Sequence, residues 1–431
     1  MMARKFKLTQ RYAAFLLSAF IGVQACNYVQ VFAQPVSAVQ NASATEIENK
    51  DTQNNARYLE VYFGINNIPE VITGEFFMNA MEKVSDHTFS NLKELDTVKL
   101  VEAIKSAVVG ANFEELALGY KQDKINSKLT ASVESAYAPY VACAVDTGLI
   151  DEETLEAVNA TNTITKEQAI NLLMAVADAN GKTRNFIGYT NEPDIYGKLI
   201  QAREEAVLFE NDKLQKIGAE AVLNGITTGY NLLNSRYSAN FIPELTLRYG
   251  HSTTTHAVQL IGLLNSEGIV AKVQLEPKTS VFRYLPEWGD VPPATPDYRV
   301  DVMSDDLMLA NSLEYDLVFE FETQEDKVRF NELVEEYAKK NDDNAEGEGL
   351  LFASWWQPLY VSSVEMEEGY KQIYNNIVVD GDYSLNPFCL PEDKEKVLEG
   401  LKGIDETIEV EQVPIWCNDA FYRYLSGESH Q

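Results

Sequence analysis

The sequence predicts a multidomain α+β protein: an all-helical module near the N-terminus, then a domain mixing helices with strands. Three observations predict it. Apolar residues recur three and four apart through residues 57–182. Alternating apolar and polar residues first appear after residue 268, in Ile269–Leu275 and again in 315–322 (YDLVFEFE). All four tryptophans lie after residue 287, so the C-terminal part differs in composition from the helical part.

The first 33 residues read as an export signal. Arg4, Lys5, Lys7 and Arg11 precede an apolar run, Ala13 to Val23, with no acid among them. That run is too short to span a bilayer as a stable helix. Two processing positions compete. Val31-Phe32-Ala33 suits an ordinary signal peptidase, with cleavage after Ala33. Val23-Gln24-Ala25-Cys26 resembles a bacterial lipobox, with Cys26 as the lipidated residue. Residues 34–56 are polar, lack aromatics and read as a flexible linker. No later segment approaches 18 apolar residues, so no transmembrane span is expected in the mature chain.

In residues 57–182 the helical period is clearest over Phe76–Val84, Thr97–Val109, Ala136–Val145 and 166–178. Thr165 with Gln168 three residues on forms a capping box, and Asn180-Gly181 supplies the stop. Residues 71–84 (VITGEFFMNAMEKV) and 163–176 (TITKEQAINLLMAV) share an Ile-Thr start, a Glu two residues later and an apolar helix face. This is an internal repeat or two similarly capped helices.

Residues 136–178 carry a further pattern. An aromatic start with Tyr137 and Tyr140 leads to a helix ending Gly148-Leu149-Ile150. A loop then leads to Ile164-Thr165-Lys166-Glu167 and a second helix. The order resembles an S-layer homology repeat, closely over 136–178 and loosely over 57–182. The resemblance implies a helical module holding an exported protein to cell-wall polysaccharide or peptidoglycan, with Tyr137, Tyr140, Lys166 and Glu167 as its glycan-binding residues. The sequence departs from the family at three points. The family's tryptophan falls on Ala136. Its arginine is Lys166 in one copy and Gly74 in the other. Two copies are visible rather than three. Lysine keeps the charge but loses the bidentate fork that suits carboxylate-bearing sugars. On the residues alone, Tyr137 and Lys166 also read as solvated helix surface, and Thr165 and Glu167 as capping groups.

A connector, 183–210, contains the turn cluster Asn191-Glu192-Pro193-Asp194. An α+β domain is expected over 211–340, with an acidic C-terminal region, 341–431, packing on it. Residues 253–273 (TTTHAVQLIGLLNSEGIVAKV) resemble the core helix, turn and strand of the transglutaminase-like superfamily, through Ala257, Leu263-Leu264, Gly268-Ile269 and Ala271-Lys272-Val273. That resemblance places Thr253 at the position of the nucleophilic cysteine. A threonine hydroxyl is not ionised by a helix N-terminus as a thiol is. No histidine lies between His256 and His430, so Glu314 or Tyr315 stands where the partner histidine belongs. The implied domain is a degenerate, non-catalytic one.

Other candidates read as structural. His251 and His256 are five apart, about 140° round a helix, and do not form a metal pair. Asp380-Gly381-Asp382 reads as a turn, because Pro391 falls where a calcium loop needs its last Glu. Cys143 reads as a small buried hydrophobe, and Cys389 and Cys417 are candidates for a bridge. Trp288 and Trp355-Trp356 read as core more than as sugar-stacking groups. No cofactor or metal site is expected.

Charge narrows the partners. The chain holds 66 acids against 35 Lys and Arg, a formal −31. Such a surface repels a phosphate backbone and an anionic lipid face. Most of it is local: residues 301–431 hold 31 acids and 9 bases. The sequence thus predicts an exported, non-catalytic cell-envelope protein. A wall-directed hydrolase or transferase with an unidentified carboxylate site is one alternative. A surface lipoprotein binding a soluble ligand is the other.

Overall fold

The computed structural model describes residues 44–90, 92–129, 133–160, 163–251, 253–304, 307–337, 359–366 and 369–427. The export signal, Ala33, Cys26, the acidic run 341–349 and Trp355-Trp356 lie outside them. The chain divides into two compact units between Arg184 and Asn185. No helix among the described residues is long and apolar enough to cross a membrane.

The first unit is helical: α1 (Ala44–Phe63), α2 (Gly74–Val84), α3 (Leu100–Gly110), α4 (Glu114–Leu118), α5 (Gln122–Lys128), α6 (Ala138–Asp146), α7 (Glu152–Ala160) and α8 (Lys166–Ala179). Helix α1 begins inside the stretch expected to be a flexible linker, so residues 44–56 belong to the folded unit. It lies along α8, where Asn55 Nδ2 donates to Asn171 Oδ1 at 3.4 Å. The capping box at Thr165 and Gln168 forms as the spacing predicts; Thr73 caps α2 with its hydroxyl alone, which accepts from Phe76 N at 3.2 Å. Helices α2, α3 and α8 pack on one another and bury Phe77, Met81, Ile104, Ala107, Leu173 and Val176. Cys143 is buried in α6, and burial holds its thiol pKa up.

The second unit overturns the expected α+β domain of transglutaminase-like type. It is built on β1 (Gly188–Tyr189), β2 (Gly229–Asn234), β3 (Thr246–His251), β4 (Ala271–Tyr284), β5 (Tyr298–Ser304), β6 (Leu307–Phe321), β7 (Leu359–Ser362), β8 (Tyr370–Asp380), β9 (Tyr383–Asn386), β10 (Phe388–Cys389) and β11 (Glu411–Asn418). Eight strands close into an antiparallel barrel in the order β4-β2-β9-β8-β11-β7-β3-β6, and β6 returns to β4. Strands β1, β5 and β10 lie outside the ring. The segments expected as a domain (211–340) and a region packing on it (341–431) contribute strands to the same ring. The expected connector supplies β1 and α9 (Ile195–Glu204).

Closure rests on the pairing of β4 with β6, unbroken from Ala271↔Phe321 to Tyr284↔Met308. Side chains alternate across it with period two. On one face Leu247, Val273, Leu275, Leu317 and Phe319 pack with α9, α11 (Thr254–Ser266) and α12 (Gln324–Tyr337). Farther round the same face, Leu232, Val281, Leu309 and Leu385 pack with α10 (Asp212–Leu223) and α13 (Lys394–Ile404). An eight-stranded barrel has room inside for side chains or one small ligand but not for packed helices, so the face under the helices is the outside. The other face is the lumen, and along β4 and β6 it is charged.

Other sequence expectations resolve simply. His251 ends β3 and His256 sits in α11, so the two share no helix. Asp380-Gly381-Asp382 is the β8–β9 turn, with Gly381 at φ 61°. Cys389 and Cys417 are both free and buried, in separate clusters, so they form no bridge. Trp288 packs edge-on against Tyr284, with ring centroids 5.3 Å apart.

Gly74 shows why one repeat copy has no side chain at its first helical position. A Cβ there would lie 1.7 Å from the Leu92 carbonyl oxygen, and Gly74 N donates to Leu95 O at 2.8 Å. Gly74→Ala is therefore expected to lower the stability of the helical unit by about 2–3 kcal/mol. Denaturant unfolding followed by circular dichroism at 222 nm measures this.

Candidate functional site

Two arrangements gather polar chemistry, one in each unit. In the helical unit three helix starts lie side by side. Val98 N donates to Ile72 O at 3.2 Å, and Ile164 N donates to Val98 O at 3.0 Å. These extended residues precede the caps Thr73, Lys99 and Thr165 of α2, α3 and α8. The first helical residues are thus Gly74, Leu100 and Lys166. Leu92 backs onto the first and the second is buried, so Lys166 alone of the three offers a cation.

Lys166 Nζ pairs with Glu70 Oε1 at 2.7 Å. Glu167 Oε1 accepts from Thr52 Oγ1 of α1 at 2.8 Å. Tyr137 reaches the same end of the bundle. Burial raises its hydroxyl pKa, helped by Glu102 and Glu134. Glu102 belongs to the first turn of α3 and accepts from Lys99 N at 3.2 Å. The helix starts therefore bring Tyr137, Lys166 and Glu167 to one edge. Tyr140 is not part of it. It is 5% exposed, its hydroxyl donates to Glu114 Oε1 at 3.4 Å, and Lys105 covers its ring. Sequence reasoning missed Glu70, Glu102 and Thr52, because each comes from an element other than the repeat. The Lys99–Glu102 spacing was the available signal for one of them.

Thr253 is the N-cap residue of α11. Tyr315, named as one replacement for a partner histidine, donates from its hydroxyl to the Thr253 carbonyl oxygen at 2.6 Å. The two are brought together through backbone, on the outside of a closed barrel. Burial pushes the Tyr315 hydroxyl pKa well up, and it pushes that of His256 down. This is a packed junction of strand and helix.

The barrel lumen holds the second arrangement. Lys272 Nζ meets Glu320 Oε1 at 2.8 Å, and Lys278 Nζ meets Asp316 Oδ1 at 2.6 Å. Arg248 pairs with Glu276. Burying such charges is costly unless the remaining lone pairs are also satisfied. Loop 235–245 does this. Ala239 N donates to Glu276 Oε1 and Ile242 N to Glu320 Oε2, each at 2.7 Å. Phe241 packs on Val318 in the same loop contact. The sequence signal was present as polar residues at every second position of β4 (Lys272, Gln274, Glu276, Lys278) and as Glu314, Asp316 and Glu320 on β6, where Val318 interrupts the series. It reads equally well as a solvent-facing side.

One titratable group stands apart. Lys327 of α12 is 3% exposed; its Nζ donates to Ser362 Oγ at 2.9 Å and to Glu244 O at 3.3 Å. Burial pulls its pKa down to about 8, against the opposing pull of Glu244. The folded state thus sheds this proton at lower pH than the unfolded chain. The unfolded state binds more protons between about pH 8 and the ordinary lysine range, so stability gained from this group rises with pH there. The gain of wild type relative to Lys327→Met between pH 7.5 and 10 should be about 2 kcal/mol. Denaturant titrations of both proteins across that range measure it.

Among the described residues, no group of three or more His, Cys, Asp and Glu is placed to hold a metal ion. No family model matches the chain, and no curated protein or solved structure matches it.

Proposed function

We propose that the chain is an exported, non-catalytic cell-envelope protein that associates with cell-wall polysaccharide through the helix-start edge of its helical unit. The supporting observation is the alignment of Ile72, Val98 and Ile164, which sets Lys166 and Glu167 at the same end of the bundle as Glu102, the carboxylate that Tyr137 meets. Lys166 is the cation for an anionic group on the glycan, and Glu70 is the counter-ion that such a group displaces. Half-buried Tyr137 offers a ring edge, and Glu167 and Glu102 offer acceptors for sugar hydroxyls. A point charge on a flexible stem makes one contact where arginine makes two, so each contact is weak and avidity along the polymer matters.

Full-length protein mixed with purified cell wall is expected to sediment with it. Lys166→Glu is expected to cut retention about tenfold, the loss of one charge-assisted contact. Full recovery of wild type in the supernatant contradicts this function.

A further inference from the structure

Among the described residues, the lumen face of β3, β4 and β6 contains one carboxylate more than its cations serve. Lys272, Arg248 and Lys278 are paired with Glu320, Glu276 and Asp316. Glu314 stands directly opposite Lys278 in the register, yet Lys278 reaches diagonally to Asp316 instead. Glu314 Oε2 accepts from Ser280 Oγ at 2.7 Å, and Asn231 Oδ1 lies 2.9 Å from the same hydroxyl. A serine has one proton to donate, so one of these two acceptors lacks that donor at any moment.

The shortage continues round the ring. Asn231 of β2 is in register with Asn386 of β9, which accepts from Asn375 Nδ2 of β8 at 3.1 Å and donates to Ser384 Oγ at 2.8 Å. Asn375 Oδ1 is shielded from solvent and has no hydrogen-bond partner among the described groups. An unmade bond of this kind is costly. The arc from β6 to β8 is therefore short of donors and carries surplus negative charge. It is not sealed, because Glu314, Asn231, Ser312 and Asn375 are only half-buried.

We propose that this arc binds a small protonated amine. Its ammonium group sits between Glu314 and Asn231, supplying the donors that Ser280 cannot. A second donor on the ligand reaches Asn375 Oδ1. Charge sets the class: an uncharged polyol offers donors but leaves the Glu314 charge unanswered, and an anion is repelled by it. The site lies inside the barrel unit and does not depend on wall binding.

Calorimetric titration of the full chain with putrescine, with 1,4-butanediol as its uncharged counterpart, tests this. Putrescine is expected to bind saturably and to raise the melting temperature, and butanediol to do neither. Glu314→Gln should weaken binding at least tenfold. Asn375→Asp, which adds a carboxylate across the arc, should tighten it several-fold. The proposal is overturned by no saturable binding of putrescine up to millimolar concentration, by equal binding of butanediol, or by a folded Glu314→Gln with unchanged affinity. Should Glu314→Gln fail to fold, Asn375→Asp decides: no tightening overturns it.

Discussion

The pairing of β4 with β6 is the interaction on which the barrel unit depends. Those two long strands run antiparallel over fourteen register positions. Every other ring strand is attached directly or indirectly to one of their outer edges. Strand β2 takes the free edge of β4 and β3 that of β6, and β9, β8, β11 and β7 bridge the gap between them. A one-residue slip in this register would turn every outer apolar side chain inward and every lumen charge outward. Leu275, Leu317 and Phe319 would lose their helices, and Lys272, Glu276 and Asp316 would face apolar groups. The alternation itself therefore fixes the register.

The same alternation explains how an acidic chain carries a charged lumen. Helices cover the outer face, so the larger apolar clusters lie between strands and helices, while Val361, Ile373, Ile415 and Cys417 make a smaller one on the lumen face of β7, β8 and β11. The lumen keeps its ion pairs because their charges are answered: Lys272, Arg248 and Lys278 by acids, and the spare lone pairs of Glu276 and Glu320 by loop amides. Ion pairs removed from water contribute little net stability but penalise any arrangement that separates them. Here they hold loop 235–245 against the ring. The helical unit solves a simpler problem, with three capped starts and apolar faces turned to a common core.

The helical unit was largely legible in the sequence. Thr165 with Gln168, Asn180-Gly181 and the three-four spacing mark α8 within a residue or two. Such signals are local. The barrel was not legible, because its closure joins strands far apart in the chain, as Arg248 and Val361 show. Residues 269–275 and 315–322 carry the strand pattern, and each overlaps only one end of a longer strand, Ala271–Tyr284 and Leu307–Phe321. Pro277 hid the rest of β4, since proline argues against a central strand. It stands between the stretches of β4 covered by β1 and by β2, where no strand lies along that edge. The polar half of each alternation looks like solvent exposure, and sequence alone does not say that a ring closes over it. At the helix-start edge, Lys166 and Tyr137 were legible from the repeat, while Glu70, Glu102 and Thr52 required the fold.

Amide hydrogen exchange on the full chain tests the central claim most directly. Pairing of β4 with β6 as the spine of the barrel requires that the amides of Val273 to Phe282 and Ala310 to Phe319 exchange last within that unit. Those of β7, β9 and β11 should open earlier. Early exchange of β4 and β6 while β8 and β11 stay protected would contradict the account.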